Sequence, residues 1–85
     1  MRALSEDWAV YILKCADSSF YTGISTDVSR RIDEHNAGKG VRYTRARLPV
    51  GLVYQESRPT RSDALQREAA IKAMSRAAKL DLISM

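Results

Sequence analysis

The apolar and polar positions near the start of the chain predict a β-hairpin. Segment 8–15 carries apolar residues at both sets of alternate positions, Trp8, Val10 and Ile12 in one set and Ala9, Tyr11 and Leu13 in the other. That pattern is typical of a strand covered on both faces. Residues 16–19 form a polar turn, and residues 20–24 return as a second strand. Tyr11 and Tyr21 share a face if the register is suitable, which the sequence leaves open.

The next segment carries the signals of a helix start and a helix end. Ser25 or Thr26 offers a hydroxyl oxygen as the N-cap, and Asp27 is favourable at the positive end of the helix dipole. The helix should run to about Ala37 and end at Gly38, a usual position for a left-handed residue.

One more strand and two more helices complete the pattern. The strand covers 49–55, with Val50, Leu52 and Tyr54 on one face. A capping box at 60–63 opens a helix that should reach about Met74. Ser75 should cap a final helix that packs through Leu80, Leu82 and Ile83. The order β-β-α-β-α-α predicts an α+β fold, a small three-stranded antiparallel sheet covered by helices.

Length and composition indicate one domain, 1–85, with residues 1–7 as a polar tail. A chain of 85 residues leaves no room for a second domain. No apolar run approaches the ~20 residues that span a bilayer, and the N-terminus is too polar for a secretory signal. Cys15 is the only cysteine, which excludes an internal disulfide and a cysteine metal site. We therefore expect a cytoplasmic protein with no membrane partner.

Positive charge is concentrated in one stretch. The net charge of +4 suits a polyanionic partner, although a basic protein without nucleic acid would look the same by charge alone. The stretch 39–47 contains no acidic residue and four basic ones, namely Lys39, Arg42, Arg45 and Arg47. With Gly38 and Gly40 beside them, they predict a mobile basic loop that can follow a phosphate backbone. Lys72 joins these four as a candidate nucleic-acid contact.

Arg31 and His35 stand four residues apart on the first helix, so they lie one turn above the other. Arg31 could pair with Asp27 or Glu34, or it could neutralise the charge that grows on a phosphoryl group during transfer. His35 is the only histidine, which excludes a histidine metal cluster. It is either a surface or half-buried residue without a task, or a group that positions or relays a proton near the two tyrosines.

Glu68 shares a face of its helix with Ala64, Leu65 and Ile71. A carboxylate beside an apolar stripe is unfavourable unless something pairs with it. One partner is Lys72, four residues later in the favourable order. The alternative is a hard divalent cation such as Mg²⁺, which binds oxygen and often uses a single protein carboxylate.

The runs Ala9-Val10-Tyr11 and Tyr21-Thr22-Gly23, followed by Arg31 and His35, resemble the signature of the GIY-YIG nuclease family. The basic stretch 38–45 and the segment 67–72 resemble the small, stand-alone bacterial branch of that family. The resemblance extends from about Trp8 to Ser75.

The resemblance implies roles for these residues. Tyr11 would accept a proton from the attacking water, and Tyr21 would orient the water or the scissile phosphate. Glu68 would hold a single Mg²⁺ or Mn²⁺. A phenol has an ordinary pKa of about 10, and nearby cations with the bound metal are expected to lower that of Tyr11. Gly23 permits close approach of the backbone.

The implied function is a metal-dependent endonuclease that hydrolyses duplex or branched DNA, with RNA as an alternative substrate. Its cleavage would be structure-specific and would serve DNA repair or recombination. The alternatives are a nucleic-acid-binding module of the same fold with weak or no catalysis, and a protein adaptor. Target choice would then depend on the basic stretch and on DNA shape. Ala9 replaces the first glycine of the signature. Leu80 stands where many members have an asparagine, and Asn36 is the only asparagine in the chain.

Overall fold

Three antiparallel strands form a sheet in the spatial order β2-β1-β3. The computed structural model describes residues 7–85, so the predicted tail lies outside the described residues except for the exposed Asp7. The strands are β1 (Trp8–Lys14), β2 (Phe20–Ser25) and β3 (Gly51–Arg58). The helices are α1 (Val28–Asn36), α2 (Arg42–Arg45), α3 (Arg61–Lys72) and α4 (Arg76–Ile83). The predicted α+β class is confirmed, and α2 is an element that the prediction lacked.

The central strand β1 is covered on both faces, as its apolar pattern predicts. On one face, Tyr11 and Leu13 pack with Val28 of α1. On the other face, Val10 and Ile12 pack with residues of α3 and α4, which are Ala64, Ile71, Leu82 and Ile83. The molecule therefore has helices on both sides of a thin sheet. Within residues 7–85, no helix is long and apolar enough to cross a membrane.

The hairpin register places Tyr11 and Tyr21 on the same face of the sheet. Tyr11 lies opposite Gly23, and Leu13 lies opposite Tyr21. The two phenol rings have their centroids 6.4 Å apart. The predicted common face is thus confirmed, and it is the face that α1 covers.

The N-cap of α1 differs from the prediction. The side chain of Asp27 accepts the backbone N–H of Arg30, so Asp27 is the cap. Ser25 instead accepts the N–H of Asp27 at 2.9 Å, and Thr26 is exposed. The prediction of Ser25 or Thr26 was wrong because three adjacent residues all carry a suitable oxygen. Gly38 adopts the left-handed conformation predicted for it, with φ of 79°.

The caps of α3 and α4 agree with the prediction. Thr60 Oγ1 accepts the N–H of Asp63, and Ser75 Oγ accepts the N–H of Ala78, both at 3.1 Å. The helix α3 ends at Lys72, slightly before the expected Met74. In α4, Leu80 is exposed and does not join the core, contrary to the prediction.

A β-bulge changes the faces of β3. Leu52 pairs with Leu13 whereas Tyr54 pairs with Ile12, so Val53 is an extra residue between them. Alternation is lost at that point. Val50, which precedes the strand, packs on the α1 face, while Tyr54 packs on the opposite face and Leu52 is exposed. The predicted single face for these three residues was therefore wrong.

Candidate active site

A chain of hydrogen bonds runs from the centre of β1 into α1 and α2. The hydroxyl of Tyr11 lies 3.2 Å from His35 Nε2, and His35 Nδ1 lies 2.8 Å from Thr44 Oγ1. Thr44 Oγ1 in turn lies 3.1 Å from the carbonyl oxygen of Val41. All three side chains are buried, with 1%, 0% and 0% of their surface exposed. Of the two alternatives for His35, the surface or half-buried residue is therefore wrong.

This series of hydrogen bonds determines which ring nitrogen of His35 carries the proton. Thr44 has one hydroxyl hydrogen, which it donates to the carbonyl of Val41, so its oxygen accepts the Nδ1–H of His35. Burial and the positive charge of Arg31 lower the pKa of His35 from its ordinary value of about 6.5, which favours the neutral ring at pH 7. Its Nε2 therefore carries a lone pair and accepts the hydroxyl hydrogen of Tyr11.

Two glycines make room for this arrangement. A Cβ atom on Gly23 would lie 2.6 Å from the hydroxyl oxygen of Tyr11, closer than real contacts allow. A Cβ atom on Gly40 would collide with His35 Nδ1. The close approach expected at Gly23 is present, and its neighbour is the Tyr11 side chain.

The pKa of Tyr11 is raised to about 12, chiefly by burial and then by Tyr21. Arg31 lowers it, but not enough to offset burial. The expectation of a lowered pKa is therefore not met in the protein alone. At neutral pH Tyr11 keeps its proton, which points towards His35.

Arg31 has two polar neighbours in the site, Glu34 and the hydroxyl of Tyr11. Its guanidinium lies 3.0 Å from Glu34 Oε1, so the pairing with Glu34 is formed, whereas Asp27 is occupied as the helix cap. The guanidinium also lies close enough to the Tyr11 hydroxyl to lower its pKa. Arg31 is thus a cation beside the buried phenol.

Glu68 approaches the same region from α3. Its carboxylate is 17% exposed and pairs with Lys72 Nζ at 3.3 Å, so the predicted ion pair exists. Lys72 Nζ also lies 6.0 Å from the ring centre of Tyr21. The negative charge of Glu68 contributes to the raised pKa of Tyr11. Glu68 is therefore an acidic group next to the two tyrosines.

The donors around Glu68 fit a hard divalent cation better than zinc. Within residues 7–85, no group of three His, Cys, Asp or Glu side chains could hold a metal. Structural zinc usually needs four nitrogen or sulfur ligands. Mg²⁺ keeps several waters and is often bound through one or two carboxylates plus substrate phosphate. A single carboxylate at the edge of the site, such as that of Glu68, suits this second kind of binding.

The basic stretch 39–47 is more ordered than the predicted mobile loop, because it contains α2 and the buried Thr44. Lys39, Arg42 and Arg45 are exposed. Arg47 is engaged, since its Nε lies 3.0 Å from Asp17 and its Nη1 donates to the Tyr43 carbonyl at 2.9 Å. Three of the four predicted cations thus remain available on this surface.

Asn36 does not take the place of the asparagine that Leu80 replaces. Its amide group donates to the carbonyl of Val50 and accepts the N–H of Val50, at 3.0 and 2.8 Å. Asn36 therefore joins the end of α1 to the segment before β3. These two hydrogen bonds stabilise the fold and leave the Asn36 amide without a role in the site.

Sequence patterns did not reveal the contribution of Thr44 and Gly40. The four-residue helix α2 is too short to show a helical period, so nothing in the pattern of the basic stretch pointed to a buried residue. The available signal was chemical, since a lone buried histidine needs a partner for each ring nitrogen.

We expect Thr44→Val to destabilise the protein by about 1–3 kcal/mol, because it leaves the buried Nδ1–H of His35 without an acceptor. Urea unfolding measures the loss. The control is the same substitution in a His35→Leu background, where the N–H is absent and the loss should largely disappear. An equal loss in both backgrounds would show that packing of Thr44, and not its bond to His35, matters.

The comparisons agree with the fold. The model of a family described as the GIY-YIG catalytic domain matches residues 7–81, and the chain belongs to that family. A UPF0213 protein of Staphylococcus aureus is 54% identical over 74 residues, which cover 87% of this chain and 90% of that protein. The UPF0213 protein SSP2268 of Staphylococcus saprophyticus is 55% identical over 75 residues, 88% of this chain and 92% of that protein.

Two solution NMR structures are similar to this chain. The UPF0213 protein BH0048 from Bacillus halodurans has 46% identity and a TM-score of 0.59, over 92% of this chain and 83% of that one. The protein EF2693 from E. faecalis has 43% identity and a TM-score of 0.60, over 86% and 78% of the two chains. The predicted resemblance to the small bacterial branch of the GIY-YIG family is confirmed.

Proposed function

We propose that this protein is a metal-dependent endonuclease that hydrolyses phosphodiester bonds of DNA. The buried chain from Tyr11 through His35 to Thr44 is the observation that carries the proposal. Apolar side chains would fill this part of the core with less desolvation of polar groups. Polar groups that lead from one titratable hydroxyl to a neutral imidazole are suited to moving a proton. Membership of the GIY-YIG family supports a nucleic acid as the substrate.

The proton path follows from the distances. Tyr11 can take a proton from water only if it gives up its own, because its pKa of about 12 leaves little phenolate at neutral pH. His35 Nε2 lies 3.2 Å away and is the acceptor for that proton. Thr44 keeps the other ring nitrogen protonated, so Nε2 stays available. Tyr11 would thus pass one proton inward while it receives another from the attacking water.

The remaining groups provide positive charge and orientation. Arg31 would neutralise the phosphoryl charge that grows in the transition state. Tyr21, with its ring 6.4 Å from that of Tyr11, would orient the water or the phosphate. Lys39, Arg42 and Arg45 would contact the DNA backbone on the exposed side of α2.

Glu68 would hold the divalent cation, Mg²⁺ or Mn²⁺. When bound, such a cation polarises the phosphate and stabilises the leaving oxygen. Lys72 is exposed along much of its length, so it can leave the carboxylate and remain near the DNA. Glu68 would favour oxygen-binding cations, because no group of three His, Cys, Asp or Glu side chains among the described residues could hold a metal such as zinc.

A nucleic-acid-binding module of the same fold is the second candidate. Two observations favour it. The carboxylate of Glu68 is already paired with Lys72, and Leu80 stands where many family members have an asparagine. The two candidates differ in one assay, in which purified protein is incubated with nicked, flapped, branched and intact duplex DNA. We expect cleavage of at least one substrate with Mg²⁺ or Mn²⁺ and none with a chelator. Binding without cleavage of any of them would favour the module.

The exposed cations of the stretch 39–47 should account for much of the salt dependence of DNA binding. Replacing Lys39, Arg42 and Arg45 with Gln should reduce the slope of log affinity against log salt by roughly 2–3 units, if all three contact phosphates of duplex DNA. A salt titration of equilibrium binding measures this. Arg61→Gln, at the start of α3, is the single-cation control. If the triple variant keeps the wild-type slope, the DNA path lies elsewhere, for example along Arg58 and Arg67.

A further inference from the structure

A groove of about 290 Å³ runs along the edge strand β2, next to the candidate active site. Its lining residues come from β2, from α2, from the C-terminal end of α3 and from α4. The residues that line it are Phe20, Tyr21, Thr22, Tyr43, Lys72 and Lys79. Tyr21 belongs both to this groove and to the tyrosine pair of the site.

The groove combines aromatic faces with positive charge. The rings of Tyr21 and Tyr43 are stacked, with centroids 6.3 Å apart and planes inclined by 25°. Tyr43 is 37% exposed, although the guanidinium of Arg47 lies over one face of its ring, 3.9 Å from the centroid. Lys72 and Lys79 also line the groove, and its lining contains no carboxylate. Aromatic platforms beside cations that can reach phosphates are the features by which proteins hold single-stranded nucleic acid.

The size of the groove limits what it can hold. Its volume is just below the ~300 Å³ at which pockets for drug-sized ligands begin. A double helix is far wider, since its major groove alone spans about 12 Å. A single flat base fits these dimensions, and a base can enter only when it is unpaired and free to leave its stack.

We propose that this groove binds an unpaired base of single-stranded DNA beside the scissile phosphate. The base would stack against the parts of the Tyr21 and Tyr43 rings that line the groove, and Lys72 and Lys79 would contact the adjoining phosphates. The proposal builds on the nuclease function proposed above and names its substrate class: DNA with unpaired nucleotides, such as a flap or a single strand.

The test compares two strands with the same phosphates. A labelled oligo-dT and a strand of equal length with abasic sites in place of the bases are titrated by fluorescence anisotropy in the presence of a chelator. Wild-type protein should bind oligo-dT about 5- to 150-fold more tightly if one base stacks in the groove. Tyr43→Ala should remove most of that preference. Lys79→Gln should weaken binding of both strands alike.

The controls separate stacking from folding and from general charge. Arg61→Gln should leave the preference unchanged, since α3 places Arg61 about 16 Å from Lys72 along its axis. Thermal unfolding of Tyr43→Ala and of the bulkier Tyr43→Leu shows whether each variant is folded. Folded Tyr43 variants that keep the full preference for oligo-dT, or wild-type protein that binds both strands equally, would overturn the proposal. Tighter binding of oligo-U than of oligo-dT would overturn the assignment to DNA.

The outcome is separable from that of the proposed nuclease function, because no metal and no cleavage are involved. If the protein cuts DNA but shows no preference for bases over abasic sites, the nuclease function is supported and the base-binding role of the groove is refuted. If the protein shows a clear preference for bases but cuts no DNA, the base-binding role of the groove is supported and the nuclease function is refuted.

Discussion

Glu68→Ala should abolish DNA cleavage while the protein stays folded and keeps most of its affinity for DNA. The substitution removes the only carboxylate that we assign to the divalent cation, and metal-assisted charge stabilisation is worth several kcal/mol in the transition state. Alanine suits the interior of α3, and the lost ion pair with Lys72 is worth only about 0.2–0.5 kcal/mol. Cleavage rates, melting temperature and DNA affinity give the three readouts.

The matched control for this prediction is Lys72→Ala, which breaks the same ion pair but leaves the carboxylate. We expect it to retain cleavage with weaker DNA binding. Mn²⁺ binding, followed by electron paramagnetic resonance, should be lost in Glu68→Ala and kept in Lys72→Ala. If both variants cut DNA like the wild type, the ion pair is the sole role of Glu68.

Tyr11→Phe should lose about 10²–10⁴-fold in cleavage rate, the usual contribution of a general base. Phenylalanine keeps the ring and its packing, but it cannot pass a proton to His35. The variant gives up one buried hydrogen bond, whose net worth is about 1 kcal/mol. We therefore expect a folded, DNA-binding and nearly inactive protein, assessed by single-turnover cleavage and thermal unfolding. Tyr21→Phe should show a smaller defect.

Tyr54→Phe is the control for the loss of a tyrosine hydroxyl as such. Tyr54 lies on the opposite face of the sheet, where its hydroxyl bonds to Glu56. This variant should cut DNA at the wild-type rate. Wild-type turnover in Tyr11→Phe would refute the assignment of Tyr11 as the base, and a large fall in its melting temperature would indicate a structural role for the hydroxyl.

The sequence was most informative where one local pattern decides the structure. Burial of β1 on both faces follows from two alternating apolar sets. Thr60 and Ser75 are caps that have no adjacent residue with a capping side-chain oxygen. The shared face of Tyr11 and Tyr21 depended on a register that the sequence left open. The family signature linked the other candidate site residues to the tyrosine pair. Their spacing along the sequence alone did not establish that link.

The sequence was least informative where tertiary contacts decide. The bulge at Val53 depends on how β3 pairs with β1, and periodicity along one strand cannot show it. The hydrogen bond between Thr44 and His35 joins two elements across the basic stretch. The raised pKa of Tyr11 depends on burial that only the assembled core produces.

The pH dependence of single-turnover cleavage between about pH 5 and 9 tests the proton path most directly. If Tyr11 hands its proton to neutral His35, the rate should be level above the ordinary histidine pKa of about 6.5 and fall at acid pH as His35 becomes protonated. The fall should begin below 6.5, because burial lowers the pKa of His35. A rate that keeps rising about tenfold per pH unit up to pH 9 would mean that the phenolate of Tyr11, with its pKa of about 12, acts without His35, and would contradict the account.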